Sequence, residues 1–121
     1  MKKTLLVAGS CLVLLSACGN KGVALEGTWK EHQRYFNNKK KDTGHCLPEY
    51  EKVIFTDDNK VEMDDVTYEY KAEQKDDKTE ITTVDNTTNE TKHYEIKELK
   101  NGNILMGEKD GLSACELKKT E

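Results

Sequence analysis

Val66-Thr67-Tyr68-Glu69-Tyr70-Lys71-Ala72 carries the plainest structural signal in the chain. Val66, Tyr68, Tyr70 and Ala72 alternate with Thr67, Glu69 and Lys71. Successive side chains of an extended backbone point to opposite faces, so this period of two predicts a strand with one buried face. On its C-terminal side, Lys75 to Lys78 reads as a charged turn, and Thr79 to Val84 is rich in β-branched residues that suit a strand. Asp85 to Glu90 is polar and turn-like. Thr91 to Leu99 reads as a further strand with Tyr94 and Ile96 in phase; Leu99 falls out of phase and predicts a bulge. Asn101-Gly102-Asn103 is a hairpin signal. Ile104 to Glu108 and Leu112 to Lys118 complete the series through Lys109-Asp110-Gly111.

The N-terminal side reads the same way. Val61 to Met63 is a short strand behind the turn Asp57-Asp58-Asn59-Lys60, and Tyr50 to Thr56 is a strand carrying Val53, Ile54 and Phe55. Asn37 to Pro48 reads as a polar loop with the run Lys39-Lys40-Lys41 and the only proline. Leu25 to Phe36 reads as a long first strand. No internal stretch sustains a helical period and no segment repeats. Seven to eight short strands joined mostly by tight turns predict an all-β antiparallel meander. Such a meander closes into a small up-and-down barrel or folds into a compact β-sandwich, and either protects its edges.

A chain of 121 residues suits one domain. The formal charge is −4, and the first 17 residues hold two lysines and no acid, so the remainder is more acidic still. With Arg34 as the only arginine, the chain is a poor match to phosphate backbones, which argues against nucleic acid as a partner.

Residues 1–17 have three zones: basic Lys2-Lys3, a mostly apolar run from Leu5 to Leu15, and small Ser16-Ala17. This is the layout of a secretory signal peptide, and the apolar run is short for a membrane span. Leu15-Ser16-Ala17-Cys18 resembles the lipobox of bacterial lipoproteins. The resemblance implies lipidation of Cys18, cleavage before it, and a membrane anchor made of acyl chains. Residues 18–24 then form a lipidated tether, and residues 25–121 the β-barrel-like domain. Gly19 stands where an aspartate would favour inner-membrane retention in Gram-negative cells. The resemblance therefore implies a bacterial cell-envelope location, at the periplasmic face of the outer membrane if the cell is Gram-negative.

Leu25-Glu26-Gly27-Thr28-Trp29-Lys30 resembles the Gly-x-Trp opening of lipocalins and of small lipocalin-like lipoproteins. The resemblance implies that Gly27 permits close packing and that Trp29 plugs the floor of an up-and-down barrel.

Cys11 leaves with the signal and Cys18 takes the lipid, so Cys46 and Cys115 remain as an even pair in an oxidising compartment and are expected to form one disulfide. His45 beside Cys46 makes a poor metal pair, because adjacent side chains rarely converge on one ion. His32, His45 and His93 are scattered, and Ser113 is the only serine after residue 17 and lies in no nucleophile elbow. Asp57-Asp58, Asp64-Asp65 and Asp76-Asp77 read as solvated turns, and none matches calcium-loop spacing. Asn86-Thr87-Thr88 and Asn89-Glu90-Thr91 read as an exposed turn. No catalytic set or cofactor signal is present. Two readings of function follow: a non-catalytic binding module for a small apolar ligand lined by Tyr68, Tyr70 and Tyr94, or a periplasmic protein-interaction lipoprotein acting as an inhibitor, immunity or assembly factor.

Overall fold

The computed structural model describes residues 24–120. The segment read as a signal peptide and Cys18, the residue expected to carry the lipid, lie outside the described residues. Nine strands follow in chain order: β1 (Gly27–Phe36), β2 (Lys39–Lys41), β3 (Lys52–Phe55), β4 (Lys60–Met63), β5 (Val66–Lys75), β6 (Lys78–Val84), β7 (Thr91–Glu98), β8 (Ile104–Glu108) and β9 (Ser113–Lys119). Each pairs antiparallel with its successor from β3 to β9. The sheet closes because β1 pairs with β3 over Gly27–Lys30 and with β9 over Trp29–Phe36. The result is an eight-stranded antiparallel barrel of up-and-down type, with β2 added as a ninth strand against the end of β1.

Turn chemistry sets the register. Phe36 pairs with Lys39 across Asn37-Asn38, and Met63 pairs with Val66 across Asp64-Asp65. All four turn residues have positive φ, between 53° and 65°. Asn and Asp tolerate this region, and its backbone twist matches that of the flanking strands. The first of these turns is why β2 exists. The stretch expected to be a loop throughout folds back at once, and Lys39–Lys41 pairs with Arg34–Phe36. Two further differences have local causes. Pro48–Tyr50 is a single 3-10 turn, so the strand expected from Tyr50 begins at Lys52. Leu99 carries no bulge: β7 ends at Glu98, and Leu99 closes the turn through its N–H to Asn103 O at 2.8 Å. The irregularity lies instead on β1. Glu116 faces Gln33 and Leu117 faces Glu31, leaving His32 without an opposite residue.

The core is continuous and apolar. Trp29, Val53, Phe55, Val61, Met63, Ile81, Ile96, Ile104, Met106 and Leu117 are buried inside the barrel. In β6 the alternation is complete, with Thr79, Ile81 and Thr83 buried between half-buried neighbours. In β5, where the sequence shows the cleanest alternation, burial is weakest: Tyr68 and Tyr70 are half-buried, while Val66 and Ala72 are exposed. The cause is an offset between its neighbours. Val66–Tyr68 pair only with β4 and Tyr70–Lys75 only with β6, so Glu69 alone has a paired residue on both sides and the second half of β5 is open where β4 ends. Charged Lys71, Glu73 and Lys75 lie along that open edge, a composition that discourages edge-to-edge pairing.

Candidate functional site

The pairings define two ends. At the entry end lie Leu25, the start of β1, the β3–β4 and β5–β6 turns, the β7–β8 loop and the end of β9. Trp29 closes it. The ring is 2% exposed, its indole N–H donates to Leu25 O at 2.8 Å, and the Lys119 ammonium lies 5.6 Å from the ring centroid. Gly27 has φ +128°, which L side chains rarely adopt, so the strand enters the barrel in a conformation open to glycine.

The far end is covered by a strap, residues 42–51, that runs from β2 to β3. Cys46 is disulfide-bonded to Cys115 of β9, with Cα atoms 5.7 Å apart, as the cysteine count led us to expect. Arg34 Nε donates to Thr43 O at 3.1 Å, and Glu31 N donates to Glu51 O at 3.2 Å. Tyr50 is the strap's one aromatic plug, 1% exposed, and meets Tyr94 edge to face at 6.4 Å between centroids. Tyr94 OH donates to the Glu49 carboxylate at 3.0 Å. Burial, with Glu49 and Glu108 nearby, raises both phenols well above their ordinary pKa, so both stay protonated. Tyr50 OH has no hydrogen-bond partner among the described residues. Burying a hydroxyl without a partner costs about 1–3 kcal/mol.

With both ends closed, the interior is filled. Clefts of about 320–550 Å³ open on the outer surface, and none is lined by a buried apolar core residue. The tyrosines named from sequence do not surround a common cavity. Tyr94 is in the core, Tyr70 packs edge to face on Phe55 at 5.4 Å and borders an outer cleft, and Tyr68 is half-buried against the core. His45 sits in the strap at the surface, with Nδ1 3.1 Å from Glu31 Oε2, and Cys46 is committed to sulfur. His32 occupies the β1 irregularity, and His93 Nδ1 lies 3.1 Å from Thr82 Oγ1. Asp57-Asp58, Asp64-Asp65 and Asp76-Asp77 all lie exposed in turns.

Sequence reasoning missed two features. The first is a buried carboxylate. Glu116 is 5% exposed, and its Oε2 accepts from Asn103 Nδ2 at 2.7 Å and Asn101 Nδ2 at 3.1 Å, while Oε1 accepts from Tyr35 OH at 3.4 Å. Desolvation alone would raise its pKa, but these donors and nearby His32 hold it below the usual carboxylate value. The hairpin signal at Asn101-Gly102-Asn103 marked the donors as a turn, and nothing local marked their acceptor. The second is the distribution of exposed apolar side chains. Phe36, Leu47, Val66 and Leu112, each at least 40% exposed, all belong to the far end: the tip of β1, the strap, the start of β5 and the β8–β9 turn.

Fold and site together define a closed, filled eight-stranded antiparallel barrel with a disulfide-held strap over one end. The chain matches no known family model, no curated protein and no solved structure.

Proposed function

We propose that this chain is a lipid-anchored lipoprotein of the bacterial envelope, and that its barrel is a non-catalytic module that binds another protein at the far end. One observation carries the reading: the chain enters at one end of the barrel, while the large exposed apolar residues lie at the opposite end. A tether from Cys18 to Leu25 spans at most about 25 Å even when fully extended. The entry end is then held near the bilayer, and Phe36, Leu47, Val66 and Leu112 face away from it. Exposed apolar side chains gathered at one end of a highly charged domain suit a protein interface better than solvent. The small-ligand reading has less support, because the outer clefts do not reach the filled interior.

Crosslinking in the native envelope tests the binding reading. A partner captured from a photoreactive residue at Leu47 or Leu112, and not from one at Asp58 in the β3–β4 turn of the entry end, supports it; equal capture from both ends contradicts it. The anchor is tested separately. Cys18→Ser abolishes acylation and shifts the protein from the membrane to the soluble fraction, whereas unchanged fractionation rules out the lipid attachment.

A further inference from the structure

The strap has little of its own to hold it down. Asp42, Thr43, Gly44, His45, Leu47, Pro48 and Glu51 are exposed, so its grip on the barrel comes from Tyr50, Cys46 and a few polar contacts. Tyr50 inserts a complete ring against Tyr94, yet its hydroxyl finds no partner among the described residues. A plug that gives up hydrogen bonds to water and gains none in return is a weak non-covalent latch. The covalent latch is Cys46–Cys115, whose two ends differ in access. Cys115 is fully buried, and Cys46 lies at the strap with 9% of its surface exposed.

From this geometry we infer that the strap is a redox-latched lid, and that the seat of Tyr50 beside Tyr94 is a binding site for a single-ring aromatic ligand once the lid is released. The reductant is a dithiol. Its thiolate attacks Cys46 Sγ, the more accessible sulfur, forming a mixed disulfide and expelling the Cys115 thiolate, which takes up a proton. The dithiol's second thiolate then attacks the mixed disulfide and leaves as a cyclic disulfide, and Cys46 takes up the second proton. Two electrons pass from the dithiol to the bridge. The strap, still tethered through β2 and β3, then swings out with Tyr50 and leaves a ring-shaped apolar space next to Tyr94.

The test uses p-cresol, the isolated tyrosine side chain, with the full chain in oxidised and dithiothreitol-reduced forms. In the reduced form, amide exchange rises across residues 42–51 while β6 and β7 stay protected, and saturable p-cresol binding shifts the Tyr94 resonances. The oxidised wild type shows neither. Tyr50→Ala, kept oxidised, binds p-cresol without reduction because the seat is empty while the bridge is intact. Tyr50→Phe removes the unpartnered hydroxyl and slows exchange in the strap about tenfold. Loss of β6 and β7 protection together with the strap on reduction, or no change in the strap at all, overturns the latch. Failure of oxidised Tyr50→Ala to take up p-cresol overturns the site.

Discussion

Glu116 shows how a single side chain couples this fold to pH. Its neighbours in β9, Cys115 and Leu117, are apolar and buried, and the carboxylate is accommodated among them by three donors from β1 and the β7–β8 loop. Because the folded group holds its proton less readily than the unfolded one, the interaction is fully present above the unfolded value of about 4.3 and fades as pH falls through the lower folded value. Glu116→Gln therefore lowers stability at neutral pH, and its deficit relative to wild type shrinks on acidification. Urea denaturation from about pH 6 to about pH 2.5 measures that gap; a gap independent of pH would show that the carboxylate's charge contributes nothing. Asn103→Ala, which removes the shortest of the three bonds, costs about 1–2 kcal/mol at neutral pH. None of this was legible in the sequence. A glutamate between apolar residues in an edge-like strand reads as an outward-facing charge, and what covers it arrives from residues far away in the chain.

Among the elements, hairpins were read well and their relative depth was not. Asp64-Asp65 was recognisable as a turn from its residue types, and the structure adds that both residues sit in the left-handed region. Glycine adopts that region without the steric cost an L-residue meets, and Asp-Gly is a preferred pair for such turns. Asp65→Gly is expected to raise stability by about 0.5 kcal/mol. A lower midpoint in urea for that variant would mean that the Asp65 side chain holds the turn by some other contact. The alternation in Val66 to Ala72 correctly announced a strand and its facing. It overstated burial, because depth depends on strands flanking the face on both sides, and β4 and β6 together flank β5 only at Glu69. The strap was the other blind spot. Its polar composition reads as open loop, while Tyr50 and Cys46 anchor it inward through partners on β7 and β9.

For the whole molecule, the disulfide links the strap to β9 across 69 residues of chain. Restricting a loop of that length in the unfolded ensemble is worth about 4 kcal/mol on the chain-entropy estimate. Guanidinium titration of the oxidised protein and of Cys46→Ser/Cys115→Ser is expected to separate them by an amount of this order. A difference below about 1 kcal/mol would place the stability of the domain almost entirely in barrel closure. Closure joins β1 to β9 and so removes the sheet edges that an open meander would expose, while each half of β5 keeps one unpaired side.

Short-range chemistry wrote the strands, the turns and the cysteine pair into the chain, because alternation, left-handed turn residues and an even thiol count are properties of neighbours or of simple composition. Long-range contacts settled whether the meander closed as a barrel or a sandwich, which strands lie deep, which end is capped, and where the exposed apolar residues collect. Those outcomes depend on strand lengths and registers meeting across the full sequence, and no window of a few residues contains that information.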